Sequence, residues 1–213
     1  MRFSLILLAL GLSLPALADW TALSSTEFSL KPPPKEGSSA YIRDFSILLK
    51  EQSTRTEEEC ALALHQASPS FQTMYEDSGL LTKQESRKVG TLVEKAMEVT
   101  QRISSYFKNK FKRPRPYDVD SNIEPCVEKI GGAKAYPSSH ASMSAIAACL
   151  LAEIFPNRAP KILAYGEYLG QLRVKVGLHH PSDVEAGAKL AEDICVRLHE
   201  ETDFREQIEA LKE

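Results

Sequence analysis

The chain has 213 residues, of which 43% are hydrophobic and 26% charged, and its formal net charge is -3. These proportions are typical of a globular protein and exclude collagen-like, low-complexity and disordered chains. The near-neutral charge balance also argues against a dedicated nucleic-acid-binding protein, since such proteins are usually strongly basic. The length predicts one domain, or at most two small ones.

Residues 1–18 have the pattern of a secretory signal peptide. Arg2 provides the positive start, residues 3–14 are almost entirely apolar, and residues 16–18 form a small-residue cleavage pattern. The apolar run has about 12 residues, whereas a membrane-spanning helix needs about 20. We therefore expect cleavage before Asp19, export to a periplasm or out of the cell, and no stable membrane insertion.

An exported protein can form disulfides, because they persist in an oxidising compartment. The four cysteines, Cys60, Cys126, Cys149 and Cys195, allow three pairings, and the sequence does not choose among them. Cys149 and Cys195 also fit helical apolar patterns, so they are equally well interpreted as small buried residues. No Cys-x-x-Cys pair is present, so neither a redox motif nor a zinc framework is indicated.

Residues 19–40 predict an extended N-terminal arm. They contain Pro32-Pro33-Pro34 and Gly37-Ser38-Ser39, a composition that resists regular structure. Trp20 and the proline arm offer a surface for a second subunit, so a homo-oligomer stays open as a hypothesis. Residues 41–213 predict one all-α domain.

Helical periodicity, capping residues and prolines delimit six helices in this domain. The strongest apolar pattern begins at Thr82, with Glu85 as its capping-box partner, and repeats over about seven turns. Pro114 and Pro116 require that helix to end near Lys112. In chain order the predicted helices are Tyr41 to Lys50, Thr54 (with Glu57) to about Ala67, Thr82 to Lys112, Ser138 or Ser139 to about Phe155, Pro160 to about Val176, and a last one capped by Ser182 with Glu185. No segment alternates as a strand does, so we expect a single-domain helical bundle.

The first segment that carries chemistry runs from Lys108 to Pro116, where lysines, arginines and prolines crowd the end of a predicted helix. Cations at a helix C-terminus often do no more than offset the helix dipole on a solvated face. A short basic run can also bind a polyanion. The segment alone does not distinguish these two interpretations.

The second segment is Tyr136-Pro137-Ser138-Ser139-His140, which leads directly into a helix. The unpaired N–H groups and positive dipole end of a helix start bind anions, and the serines add hydroxyl donors. His140 would then stand beside the bound anion. The alternative is that both serines are only capping residues.

The third segment contains Arg173, His179, His180 and Asp183 at the junction of two predicted helices. Asp183 can accept a proton from one ring nitrogen of His179, which leaves the other nitrogen nucleophilic. A histidine pair followed by an acid could instead hold a metal ion, although no third histidine or His-x3-His pair is nearby. His65 and His199 lie on other helical faces, and we interpret both as structural. We expect the acidic tail, residues 200–213, to be a solvated helix end.

Together the three segments resemble the signature of the type 2 phosphatidic acid phosphatase superfamily. The matching residues are Lys108-x6-Arg115-Pro116, Pro137-Ser138-x-His140 and Arg173-x5-His179-x3-Asp183. The superfamily includes bacterial class A acid phosphatases, membrane lipid phosphatases and vanadium haloperoxidases, and the proline arm and following helices are most similar to the class A acid phosphatases. The resemblance implies the all-α helical bundle of the acid phosphatase and vanadium haloperoxidase type.

The resemblance also implies a role for each matching residue. His179 would attack phosphorus to form a phosphohistidine, Asp183 would orient its ring, and His140 would serve as general acid and then base. The implied phosphate-binding residues are Lys108, Arg115, Ser138, Ser139 and Arg173. These cations would neutralise the charge of the transferring phosphoryl group, so neither a metal nor another cofactor is expected. A protonated His140 predicts an acid pH optimum.

Three positions depart from the family pattern. Ser139 replaces the usual glycine, Leu172 replaces a serine before the last arginine, and His180 replaces an aromatic residue that commonly follows the nucleophile. We interpret His180 as a polar residue that lines or supports the site.

We therefore predict an exported, metal-independent acid phosphatase that acts on small phosphate monoesters. One alternative is a lipid or isoprenoid-pyrophosphate phosphatase working at a membrane surface. A haloperoxidase is less favoured, because it requires bound vanadate. A non-catalytic phosphate- or polyanion-binding protein would use the same cations but would not need His179 paired with Asp183.

Overall fold

The computed structural model describes residues 19–212, so the predicted signal peptide at 1–18 lies outside the described residues. Within residues 19–212 the chain forms eight α-helices and no strand. The helices are α1 (Ser39–Thr54), α2 (Glu57–His65), α3 (Lys83–Phe111), α4 (Pro116–Val119), α5 (Ser139–Ile154), α6 (Ala159–Lys175), α7 (Pro181–Leu198) and α8 (Thr202–Glu209). The prediction of an all-α bundle is confirmed.

Helix α5 lies at the centre and packs against α3, α6 and α7. Small residues allow this close packing. A Cβ at Gly166 of α6 would lie 2.6 Å from the Cβ of Ala148, and one at Gly187 of α7 would lie 2.5 Å from the carbonyl oxygen of Ser138. Gly187 therefore lets the start of α7 approach the start of α5, and this approach positions the candidate site.

The predicted bounds of three helices are wrong in detail. Helix α1 runs from Ser39 to Thr54 rather than from Tyr41 to Lys50. Helix α2 is capped by Thr56 with Glu59, because Thr54 still belongs to α1. Helix α7 begins at Pro181 rather than at the predicted Ser182 cap. His180 is its N-cap residue, and Asp183 occupies the acidic position of the capping box. Pro181 suits the first helical position because the N–H that it lacks would have no helical partner there.

Both ends of the described chain pack into the core. Trp20 is buried, and its ring lies edge-on to Phe204 of α8 with centroids 5.2 Å apart. The interpretation of Trp20 as a surface for a second subunit is therefore wrong. Phe204 and Ile208 are also buried, so the acidic tail is not simply solvated. Its apolar residues recur at helical spacing beneath the charged face.

All four cysteines are paired, as Cys60 with Cys126 and Cys149 with Cys195. The first disulfide ties α2 to the long loop between α4 and α5. The second ties α5 to α7. The structure thus selects one of the three pairings that the sequence left open.

Candidate active site

Four chain segments converge at one end of the bundle. The C-terminal end of α3 and the segment after it carry Lys108 and Arg115, and α5 begins with the capping residue Ser138. Helix α6 ends beside Arg173, and α7 begins at Pro181, close after His179. The buried polar residues predicted for the site are Lys108, Arg115, Ser138, His140, Arg173, His179 and Asp183.

The ring of His179 lies between a cation and a carboxylate. Its Nε2 is 2.7 Å from Nη1 of Arg115, and its Nδ1 is 3.4 Å from Oδ2 of Asp183. Because a guanidinium can only donate, Nε2 faces it as an acceptor and the ring proton belongs on Nδ1. Burial is the largest cause that holds the pKa of His179 well below its usual value, and the charges of Arg115 and Lys108 lower it further. The contact with Asp183 raises this pKa but does not outweigh them. The neutral ring therefore keeps a lone pair on Nε2 at acid pH.

His180 also contacts Asp183. Its backbone N–H donates to Oδ2 over 2.8 Å, and its Nδ1 lies 3.0 Å from the same oxygen. The ring is edge-on to Phe45, with centroids 5.4 Å apart, and it is 1% exposed. His180 thus supports the carboxylate from the side of α1, whereas Arg115 faces His179.

Behind Asp183 lies a buried ion network that the sequence analysis did not single out. Nη1 of Arg113 donates to Oδ1 of Asp183 over 2.7 Å, and Nη2 donates to Asp44 of α1 over 2.9 Å. Nη1 also donates to the hydroxyl of Ser182, over 2.7 Å. Arg113 belongs to the basic run that the sequence shows, but Asp44 lies 69 residues away and has no local signal.

The charge state of Asp183 follows from these contacts. Burial alone would raise its pKa, but the rings of His179 and His180 and the charge of Arg113 outweigh burial and hold the pKa well below its usual value. Asp183 is therefore ionised at mildly acidic pH. An ionised carboxylate at this position fixes the orientation of the neighbouring imidazoles.

The three cations are buried, and two of them have donors without a partner. The Nε atoms of Arg115 and Arg173 make no hydrogen bond within residues 19–212. Burial lowers the pKa of Lys108 to about 7 and the pKa of Arg173 to about 10. In both cases the charge of Arg115 is the second-largest cause. Each cation thus disfavours the charge of its neighbours, and a bound anion would relieve this repulsion.

His140 lies in the first turn of α5, where its Nε2 is 2.8 Å from the carbonyl oxygen of Gln66. A carbonyl accepts, so Nε2 carries the proton and Nδ1 remains to exchange one. Burial and, next, the charge of Arg173 lower the pKa of His140 to about 3. Without a bound anion, His140 is therefore neutral at mildly acidic pH.

The two serines at the start of α5 differ in their contacts. Ser138 donates its backbone N–H to the carbonyl oxygen of Asp183 over 2.8 Å, which joins α5 to α7. The hydroxyl of Ser139, at the position of the usual glycine, lies 2.8 Å from that of Ser104 on α3. In this structure the Ser139 side chain is thus held by α3.

The remaining histidines lie elsewhere. His65 is 2.9 Å from Asp77, and His199 is 2.6 Å from Glu153, with its Nδ1 on the carbonyl of Cys195. Among the residues that the structure describes, no group of three or more histidines, cysteines or acids is placed to hold a metal ion. No helix within the described range is long and apolar enough to cross a membrane.

Comparisons with known proteins agree with this arrangement. Residues 95–198, which include the site except Asp44, Phe45 and Gln66, match the sequence model of the PAP2 superfamily. The chain is 30% identical over 189 residues to an acid phosphatase of Zymomonas mobilis subsp. mobilis, covering 84% of this chain and 71% of that protein. It is 27% identical over 195 residues to a non-specific acid phosphatase of Providencia stuartii, and the match covers 86% of this chain and 78% of that protein. A non-specific acid phosphatase of Salmonella typhi matches 79 residues at 33% identity, which is 37% of this chain and 32% of that protein.

Proposed function

The chain belongs to the PAP2 superfamily, and from this membership we propose that it is an exported acid phosphatase that hydrolyses small phosphate monoesters through a phosphohistidine at His179. The observation that carries the proposal is the position of the His179 ring. Its Nε2 faces Arg115 at 2.7 Å, and its Nδ1 faces the ionised Asp183 at 3.4 Å. This pairing activates a nucleophile beside a site for anions.

Substrate binding would place the phosphoryl oxygens among Lys108, Arg115 and Arg173. The unpartnered Nε donors of the two arginines would bind these oxygens, and Arg115 would transfer its contact from His179 to the phosphoryl group. The free N–H groups at the start of α5 would bind a further oxygen. Because the cations are already in place, stabilising the charge of the transition state requires no rearrangement beyond this transfer of the Arg115 contact.

In the first step Nε2 of His179 attacks phosphorus while the bond to the leaving oxygen breaks. His140 gives its proton to that oxygen, and Asp183 stabilises the imidazolium that forms. In the second step a water molecule attacks phosphorus, the phosphorus–nitrogen bond breaks, and His140 takes the proton of the water. Phosphate leaves, and the nitrogen lone pair returns to His179.

The acid role of His140 requires its protonated form. Its pKa of about 3 belongs to the site without an anion, where burial and the charge of Arg173 oppose protonation. A phosphate dianion offsets Arg173, Lys108 and Arg115, so it raises this pKa in the complex. We therefore expect kcat to be highest at acid pH and to fall as the complex loses this proton.

Export and domain organisation complete the proposal. We propose that residues 1–18 are removed as a signal peptide, that residues 19–40 form the arm and that residues 41–213 form the catalytic domain. The two disulfides support an oxidising destination, either a periplasm or the outside of the cell.

The test is release of phosphate from p-nitrophenyl phosphate between pH 4 and 9, with a chelator present. We expect activity that is highest at acid pH, survives the chelator and is lost in His179→Ala. The matched control is His65→Ala, since His65 is a half-exposed histidine on α2 paired with Asp77. Full activity in His179→Ala would overturn the mechanism, and a folded wild type without activity would overturn the function.

A further inference from the structure

A cavity of about 300 Å³ lies beside Arg173, one of the three cations proposed to bind phosphate. Arg173 and Leu178 line its inner side, so the cavity adjoins the arginine that we assign to phosphate binding. Ala63 and Leu64 of α2 form one wall, and Val127 and Ile130 of the loop between α4 and α5 form the other. A group bonded to the phosphoryl oxygen could therefore extend from the site into this cavity.

The walls combine apolar side chains with three charged ones, and two of the apolar side chains are unusually exposed. Leu64 is 61% exposed and Ile130 is 42% exposed, whereas most large apolar residues of the described chain are buried. Exposed apolar side chains that converge on a cavity indicate a binding surface more than isolated ones do. Their position predicts contact with an apolar group.

Both walls are held in place. The disulfide between Cys60 and Cys126 fastens the loop to α2. Tyr117 fixes the loop a second time, four residues after Cys126, because its hydroxyl donates to the carbonyl of Ile130 over 2.6 Å and accepts the N–H of the same residue over 3.0 Å. Tyr117 follows Arg115 by two residues, so one short segment positions both the phosphate site and the cavity wall.

The charges at the cavity limit which groups it accepts. Glu128 lines it and would repel a second anionic group on the substrate. Lys129 also lines it, but its ammonium lies over the ring of Tyr117, 5.4 Å from the centroid. Arg173 lies at its inner side, but in the proposed complex its charge is paired with the phosphoryl group.

We propose that this cavity binds the organic group of the substrate and prefers monoesters of aromatic or short apolar alcohols. The inference rests on the proposed function and names its substrate class. Ligand pockets range from about 300 to 1,000 Å³, so a cavity of about 300 Å³ is of the size that encloses a single ring. The preference thus separates the protein from an enzyme selective for lipid phosphates.

The experiment compares the binding of phenylphosphonate and methylphosphonate by calorimetry, because neither compound has a phosphate ester bond to hydrolyse. We expect the wild type to bind phenylphosphonate about tenfold more tightly, since the ring removes apolar surface from water. Leu64→Gln should reduce this ratio about fivefold and leave methylphosphonate binding unchanged, and Leu64→Gln with Ile130→Gln should bring the ratio close to one. Leu64→Met should keep the wild-type ratio.

Val196→Gln is the matched control, because Val196 is also 61% exposed on a helix and does not line this cavity. Equal binding of both compounds by the wild type, or a preference that survives both glutamine substitutions, would overturn the inference.

Turnover of p-nitrophenyl phosphate is measured in parallel. Turnover without the binding preference would overturn the inference alone, and the preference without turnover would overturn the proposed function alone. Failure to bind either phosphonate would overturn both.

Discussion

The guanidinium of Arg113 lies 2.7 Å from the carboxylate of Asp183, on the side opposite the rings of His179 and His180. The same guanidinium binds Asp44, and all three side chains are no more than 6% exposed. A buried carboxylate keeps its charge only when it is paired and hydrogen-bonded. Arg113 therefore acts on the candidate nucleophile indirectly, by holding Asp183 ionised and in place.

Arg113→Met should destabilise the fold strongly. It leaves Asp44 and Asp183 as buried carboxylates without their cation, and breaking a buried ion pair in this way costs about 3–5 kcal/mol. Denaturant unfolding at pH 6 measures the loss. Arg158→Met is the control, because the pair of Arg158 with Glu85 is equally short at 2.6 Å but partly exposed, so its loss should cost about 1 kcal/mol or less. Equal losses in the two variants would contradict the assigned importance of the buried network.

Lys108 should make anion binding weaken above about pH 7. Burial and the charge of Arg115 lower the pKa of Lys108 to about 7, so the free enzyme loses this charge above that pH, whereas a bound anion favours the protonated form. The inhibition constant of sulfate, whose charge stays constant over the range, measures this between pH 5 and 9. Lys108→Arg should remove the weakening at high pH, and Lys108→Met should weaken binding about tenfold or more at pH 5. The same pH dependence in Lys108→Arg would assign the effect to another group.

His140→Ala should separate the two chemical steps. Nitrophenolate is a stable leaving anion that needs little protonation, so phosphorylation of His179 should continue, whereas the water in the second step loses its base. We expect a burst of about one nitrophenolate per active site, followed by turnover reduced by about 10²–10⁴-fold. Stopped-flow absorbance measures the burst. A slow variant without a burst would show that His140 does not act chiefly in the second step, and unchanged turnover would remove it from the mechanism.

The two disulfides should have different effects on catalysis. Removing either pair with serine should destabilise the fold by about 2–4 kcal/mol, because each closes a long loop of chain. Removing Cys60 and Cys126 should also raise KM for p-nitrophenyl phosphate, since this disulfide fastens the wall of the cavity beside Arg173. Removing Cys149 and Cys195 should leave KM unchanged. Equal changes of KM in both double variants would contradict a specific role for the first disulfide.

The parts of the fold that were predictable have local signals. Thr82 and Glu85 form the capping box of α3 as predicted, and Ser138 caps α5. The three spaced motifs indicated the family and the acid phosphatase class, and the comparisons confirm both. Each motif lies at or near a helix end, and the family resemblance, rather than the helix boundaries alone, suggested that the motifs meet.

What could not be predicted depends on contacts across the chain. No pattern near Asp44 indicates that it binds Arg113, 69 residues later, and the partners of the four cysteines are equally nonlocal. The buried side of α8 had a signal that its charges obscured, since Phe204 and Ile208 are spaced as one helical face. The low pKa of His140 in the free site also depends on tertiary burial, which its sequence neighbours do not indicate.

The central claim is that His179, and not the adjacent His180, receives the phosphoryl group. Asp183 lies closer to Nδ1 of His180, at 3.0 Å, than to that of His179, at 3.4 Å, so proximity to the carboxylate alone does not choose between the two rings. The contact with Arg115 favours His179.

The most direct measurement is mass spectrometry of the enzyme mixed with p-nitrophenyl phosphate and denatured in alkali, which preserves phosphohistidine. We expect phosphate on His179 in the wild type and in His180→Ala, and no phosphohistidine in an inactive His179→Ala. Phosphate on His180 in the wild type, or full turnover by His179→Ala, would contradict the mechanism.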